Sequence, residues 1–275
     1  LLGILIILFF VVVAVMAPWI APPRDPDEPY LIPRGGWSIQ PQPPSEEYIF
    51  GTTEGQYDIF YGIVWGTRTA FRIGLIVVGI SSSIGIVVGT IAAYYGGWID
   101  EVIMRITDIF MSIPFIIATI VLVTILGQGI TNVMIALITF SWMSTARLMR
   151  SQVLSVKEDE FVQAALALGA NDFRIIFRHI ILNTIFPVVI QASMRMGSMV
   201  ITASTLSFLG VGAPEGYADW GQMISFARNW ILGVEGDPLH YWYTLVIPGI
   251  AITLFCLFWI LIGDAFGDIR DPKLK

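Results

Sequence analysis

The chain has 275 residues, 56% of them hydrophobic and 13% charged, with a formal net charge of −6. Soluble domains carry about 25% charged residues, so this chain lacks the polar cover that a water-facing surface of its size needs. Its acidic balance argues against nucleic acid, which requires a basic patch.

A membrane-spanning helix needs about 20 predominantly apolar residues, and six segments are candidates. The first runs from Leu1 to about Trp19. Because the chain opens on Leu1 rather than Met, a few native residues, basic ones among them, are expected before it. The run has the small residues Ala14 and Ala17 of a signal-peptide core but no basic flank, and it reads as a retained helix. Residues 20–57, rich in proline, acids and aromatics, read as an extramembrane excursion with little helix. Asp58 to Arg72 reads as an amphipathic helix lying at the interface, with Phe60, Tyr61, Val64, Trp65 and Phe71 offered to lipid.

The second span is Ile73 to about Ala93, in which Ser81, Ser82 and Ser83 suit close helix packing. The third is Ile103 to about Leu126, with Pro114 as a kink. The fourth, Val133 to about Leu148, is short; the fifth is Phe186 to about Leu209. Residues 212–243 hold Trp220, Trp230, Tyr241, Trp242 and Tyr243, an aromatic density that suits the water–lipid boundary. The sixth span is Leu245 to about Ile262 and contains the single cysteine, Cys256, which reads as a small buried hydrophobe.

Lys and Arg set orientation. The 149–185 segment carries Arg150, Lys157, Arg174 and Arg178, with Arg147 at its edge, and the tail adds Arg270, Lys273 and Lys275. Six spans place this segment and the tail on one side, which is expected to be cytoplasmic together with both termini. The acidic 20–57 segment and the tryptophan-rich loop then lie outside.

Glu158 to Asn183 reads EDEFVQAALALGANDFRIIFRHIILN. Ala164, Ala165 and Ala167 favour a helix, Gly169 is placed to end it in a left-handed cap, and Ala170 follows. Asn171 can cap the next helix, with Asp172 at its positive end. Ile175, Ile176, Ile180 and Ile181 make an apolar face. The product is a hinged helical knob with a small-residue surface, suited to docking; the plainer reading is an amphipathic linker.

Ala164-Ala165, Gly169 and the apolar close resemble the EAA loop of the permeases of binding-protein-dependent ATP-driven importers. Gln163 stands where many members have Glu, and Leu182 where many have Pro. A closer resemblance, over nearly the whole chain, is to the C-type subunit of dipeptide and oligopeptide permeases. It is carried by Phe50-Gly51-Thr52 with Asp58, Ala93 to Asp100, Ile113-Pro114, Leu206 to Gly212 with Trp220-Gly221, and Gly263-Asp264 with Asp268 and Asp271-Pro272. Gln56 and Tyr57 replace the Gly-Arg usual in that family.

The resemblance implies an all-α membrane protein with six transmembrane helices and a cytoplasmic coupling helix, the type I importer permease fold. It divides the chain into 1–72 (first span, external segment and interfacial helix) and 73–275 (transport domain, with the docking loop at about 158–183). It implies that Gln163, Ala164, Ala165, Gly169, Ala170, Asn171 and Asp172 dock on an ATPase. The implied partners are two ATP-binding subunits, a second homologous permease and an extracellular or periplasmic binding protein, in a prokaryotic inner membrane. None of Lys157, Lys273 and Lys275 follows a glycine in Walker A fashion. No cofactor is therefore expected in this chain; ATP and Mg would be held by the partner ATPases. Peptide is the first-choice cargo, with oligosaccharides and nickel complexes as alternatives.

Ionisable groups inside spans are functional candidates. Asp108 and Arg195 lie at similar shallow depth by counting and are expected to form a structural or gating pair; a pathway-lining charge, or an Arg195 that snorkels to the interface, are the other options. Met199 and Thr202 belong to a polar, small-residue face that suits either a pore wall or helix packing. His179 and His240 fall on opposite sides and cannot share a metal. A secondary transporter would call for inverted repeats or several midplane charges, and an intramembrane enzyme for paired catalytic groups at depth; neither pattern is evident.

Overall fold

The computed structural model describes residues 2–36, 38–234 and 236–270, without the side chains of Leu2, Ile269 and Arg270. The basic tail residues Lys273 and Lys275 and the Asp271-Pro272 pair lie outside the described residues. The described residues form helices and irregular loops, with isolated bridges in place of strands.

α1 (Leu2–Ile20) is followed by an irregular segment and then by α2 (Ile59–Tyr95). Asp58 caps α2, accepting from the Phe60 and Tyr61 amides at 2.8 and 3.3 Å. α3 (Gly97–Met111) and α4 (Phe115–Leu126) form a pair bent by 83°. α5 (Ile130–Val156) leads to the short α6 (Glu160–Ala167). α7 (Asp172–Arg174), a π-helical turn over Ile175–Ile180 and α8 (Ile181–Phe208) follow as one continuous apolar rod. α9 (Trp220–Ala227) and α10 (Trp242–Arg270) complete the order.

Among the described residues four helices are long and apolar enough to cross a membrane, and the bent α3–α4 pair passes the same test when taken as one broken span. α5 has the length, 27 residues, but is interrupted by Thr, Asn, Ser and Arg. Its position explains that composition. Val133, Ala136, Leu137, Ala146, Met149 and Val153 are fully buried against neighbouring helices, so α5 needs little lipid-facing surface. It occupies the place of the fourth expected span and is the core post of the bundle.

α2 and α5 share the most extensive helix contact. Small residues make it possible: a Cβ on Gly85 would lie 2.7 Å from the Trp142 carbonyl oxygen, and one on Gly89 would lie 2.3 Å from that of Ala146. In lipid, where apolar burial drives association weakly, such backbone approach supplies dispersion energy that bulkier residues would forfeit. α1 is attached more lightly. Phe10 is its anchor, edge-on to Phe255 at 5.5 Å and packed beside Trp220.

The helix expected at the interface over Asp58–Arg72 is instead the first part of α2, continuous through 72 and 73. At about 1.5 Å per residue, α2 is about 55 Å long, well beyond a hydrocarbon core of about 30 Å. Tyr61, Val64 and Trp65 do not face lipid; they are buried at 4, 5 and 2% exposure. The segments 20–57 and 209–241 wrap them in a cap. Trp65 donates to the Ala21 carbonyl, Tyr61 to that of Pro29, and Thr69 to that of Ala218. The same cap takes in Trp220, Tyr241 and Tyr243, which are buried rather than set in a lipid boundary, whereas Trp242 is half-exposed. Amphipathic spacing revealed an apolar face on α2 and left open whether lipid or protein covers it.

Candidate functional site: the protruding arm and the mid-bundle arginine

The two ends of the bundle differ. At one end the cap is joined to the α4–α5 turn by Gly129 N–H to Gly212 O and by Gln128 to Gly210 O. At the other, the α2–α3 turn meets the segment after α5. Lys157 Nζ donates to Ala93 O at 3.2 Å, and Arg150 grips Asp100 with two bonds of 2.6 and 2.5 Å. Such paired, parallel N–H···O bonds are the strongest geometry available to an arginine and a carboxylate. The Arg150–Asp100 clasp was not foreseen in the sequence, where both residues look like solvated charges.

Beyond this clasp the chain makes an arm. The turn that closes α6 is made at Gly169, whose φ of +79° is the left-handed conformation that glycine adopts without penalty. Ala170 N–H returns to Ala165 O at 3.0 Å and Gly169 N–H to Leu166 O at 2.9 Å, the double closure of a Schellman end. Asn171 then caps the next helix, its side-chain oxygen accepting from the Arg174 amide at 2.9 Å. The helix–break–helix form expected from Ala164 to Asn171 is present.

The arm is rooted by Ile175 and Ile180, both fully buried with Val162, Met149, Val153, Ala93 and Val188. Ile176 and Ile181 are half-buried beside them. Of the residues expected to dock, Gln163, Ala164, Gly169, Asn171 and Asp172 are exposed, and Ala170 is half-buried. Ala165 is buried and faces inward, so it supports the surface without belonging to it. The exposed face also carries Leu168, 88% exposed, and Phe173 and Phe177, whose rings lie 4.4 Å apart. Sequence reasoning did not single these apolar residues out; the signal for them was two phenylalanines, Phe173 and Phe177, set among the charges of Asp172, Arg174 and Arg178. Leu182 is exposed on the first turn of α8, and the helix there is unbroken, with proline following only at Pro187.

Tyr94 donates to Asp172 Oδ1 at 2.8 Å and Tyr95 to Oδ2 at 3.4 Å. Asp172 thus connects the arm to the end of α2 as well as standing at a helix N-terminus, where a carboxylate is favoured.

The expected Asp108–Arg195 pair does not form. Asp108 is bonded to Arg147 at 2.5 Å, and both side chains are about half-exposed. Arg195 donates instead to Thr145 Oγ1 at 2.8 Å and to the Ser141 carbonyl at 2.5 Å. Two geometric facts separate the residues. α8 begins earlier than its apolar core suggests, which places Arg195 at its middle, 14 residues after Ile181 and 13 before Phe208. Asp108 lies one turn before the α3–α4 break, on the face turned to Arg147. Met199 is buried and shares a cavity wall with Arg195, whereas Thr202 returns its hydroxyl to Ser198 O at 2.9 Å, within its own helix.

This architecture of a bundle with a cap at one end and a protruding arm at the other has relatives. Residues 85–275 match the family described as binding-protein-dependent transport system inner membrane component. The chain belongs to that family. It is 37% identical over 273 residues to the dipeptide transport system permease protein DppC of Alkalihalophilus pseudofirmus, covering 99% of this chain and 85% of the relative. It is 38% identical to the glutathione transport system permease protein GsiD of Pectobacterium atrosepticum, covering 84% of this chain and 75% of that one. An inward-facing structure of the MetNI methionine ABC transporter superposes with a TM-score of 0.59 at 18% identity, over 75% of this chain and 95% of that one. That likeness is one of fold. As an inner membrane component of this family, the permease places its bent α3–α4 pair, α5 and α8 around one mid-bundle cavity, and its arm at one end.

Proposed function

We propose that this permease forms half of the translocation pathway of an ATP-driven importer of short peptides. ATP is bound and hydrolysed, with Mg, on two partner subunits, and a second homologous permease completes the pathway. An external binding protein delivers the cargo to the capped end. Both termini and the arm lie on the cytoplasmic side.

The observation that carries this reading is the arm itself. It projects from a buried isoleucine root, is bounded by a left-handed glycine and an asparagine cap, and exposes Leu168, Phe173 and Phe177. Such a surface is unfavourable in water and is completed by a partner. The ATPases fit because the arm runs directly into α8, which lines the mid-bundle cavity, and is tied to the end of α2 through Asp172. A differential contact with the two ATPase states would bias the bundle between its two conformations, as any switch requires. Peptide cargo is supported by the dipeptide and glutathione systems in which the relatives serve.

The test is reconstitution of the permease with its sister permease, both ATPases and the binding protein in proteoliposomes. ATP-dependent uptake of a labelled dipeptide or tripeptide is expected, with no uptake when the ATPases are omitted. Uptake of an oligosaccharide or a nickel chelate in preference to peptide would overturn the cargo, and uptake without ATPases would overturn the mechanism.

A further inference from the structure

The break between α3 and α4 and the middles of α5 and α8 surround a cavity of about 330 Å³. That is at the lower end of the range for small-molecule sites, about 300–1,000 Å³. Phe110, Pro114, Phe140, Met143 and Met199 supply apolar wall, and Arg195 is the one charged residue in the lining. Its two hydrogen bonds go to neutral acceptors, Thr145 Oγ1 and the Ser141 carbonyl. Among the described residues no carboxylate pairs with it, and Asp108 is already bonded to Arg147. A guanidinium has five N–H donors in a planar fork, so donors remain after those two bonds.

A charge at the middle of a membrane helix is costly, and it is met by an opposite charge, by backbone carbonyls or by a water-filled cavity. The neighbouring acceptors hold Arg195 in place without neutralising it. An apolar wall with a single orienting charge is also the composition of a small-molecule site.

We propose that this cavity is a transient substrate subsite, in which Arg195 takes the free C-terminal carboxylate of a short peptide while Phe110, Phe140 and Met199 receive its side chain. The inference rests on the reading of the cargo as peptide and names the group by which the permease engages it. A carboxylate matches the arginine fork, and every unmodified peptide carries one whatever its sequence. Methionine and aromatic walls adapt to varied shapes. The subsite therefore selects a class of cargo rather than one sequence.

The complete transporter in proteoliposomes tests this with labelled Ala-Phe and its C-terminal amide, using wild type, Arg195→Lys and Arg195→Gln. Arg195→Gln is expected to lower uptake of the acid at least about tenfold more than uptake of the amide, the worth of a charge-assisted bond. Arg195→Lys keeps the charge without the fork and falls between. The binding protein is the same in every arm, so its own preference cancels between variants. Equal loss of acid and amide would assign Arg195 a structural role and overturn the proposal. Failure of Arg195→Gln to co-purify with the sister permease would assign the charge to subunit pairing, and would overturn it equally.

A second readout does not depend on uptake. In a Cys256→Ser background, Met199→Cys should be alkylated more slowly with Ala-Phe present than with its amide, as followed by mass spectrometry; equal rates would count against the site. If wild type moves an oligosaccharide and neither peptide, the peptide reading itself falls, and this inference with it.

Discussion

The Tyr94 hydroxyl and the Asp172 carboxylate meet at 2.8 Å, joining the last turn of α2 to the first turn of the helix that leaves the arm. Tyr95 approaches the other carboxylate oxygen at 3.4 Å. Because α2 packs along α5 and also contacts α8, displacement of the arm reaches the bundle through this contact as well as through α8.

Replacing both tyrosines by phenylalanine removes the hydroxyls and keeps the rings. A hydrogen bond to a charged acceptor contributes about 1.5–3 kcal/mol, reduced here because the site is exposed. The double variant Tyr94→Phe/Tyr95→Phe is therefore expected to assemble and hydrolyse ATP, but to move less cargo per ATP. Uptake and phosphate release measured on the same vesicles check this; an unchanged ratio would show that α8 alone carries the motion.

Gly169 separates conformation from space. Its φ is +79°, yet a Cβ there would meet nothing within 4 Å. Within the permease, then, only the backbone demands glycine. Asparagine tolerates the left-handed region and should retain ATPase binding. Valine, β-branched, should weaken it, since the left-handed conformation costs an L-residue about 1–2 kcal/mol. Titrating the purified ATPase against permease variants in nanodiscs gives the comparison. Equal losses for Gly169→Asn and Gly169→Val would mean that the partner's groove, not the turn, requires the missing side chain.

The apolar runs were sufficient to find the spans, and local chemistry was sufficient to find the arm's shape, because Gly169 and Asn171 act on backbone groups within five residues of themselves. What the sequence left open depended on relations between helices. Pro114 announced a break but not its angle of 83°, which depends on how α3 and α4 each pack on the rest of the bundle. Asp108 and Arg195 matched in counted depth, yet pairing depends also on rotation about each helix axis and on where α8 begins. Tyr61, Val64 and Trp65 had an evident apolar face, but only the folded segments 20–57 and 209–241 decide that protein covers it.

The α2–α5 contact gives a paired test of stability. Gly89→Ala would put a methyl 2.3 Å from the Ala146 carbonyl oxygen, and Gly85→Ala one at 2.6 Å from Thr145 Cβ. Overpacking of this kind costs about 1–3 kcal/mol. Gly79→Ala, on the same helix with nothing within 4 Å, should leave the melting temperature unchanged or raise it slightly. Cys256 is buried and is the one cysteine of the chain, so a thiol-reactive dye reports unfolding directly when the other subunits are cysteine-free. A Gly89→Ala variant melting with wild type would show that the helices separate at low cost.

Asp219 links the cap to pH. It is buried, begins α9 and accepts from the Gln222 amide at 3.0 Å. Burial raises its carboxyl above the usual range, while hydrogen bonds from Ser207 and the Gln222 and Gly221 amides act in the opposite direction. A raised folded-state value means that the native protein holds the proton more tightly than the unfolded chain. The stabilisation from Asp219 is thus fully present below the unfolded value and is lost as pH rises through the folded one. Asparagine can accept the same amide bond without ever ionising. Asp219→Asn should therefore match or exceed wild-type stability at neutral pH and show a smaller decline between acid and neutral pH. Asp219→Ala loses the cap and should lie below Asp219→Asn by about 1 kcal/mol at every pH. Melting temperatures of the three proteins across pH 4 to 8 decide it, and an Asp219→Asn curve parallel to wild type would show that this carboxyl is ionised in the fold throughout.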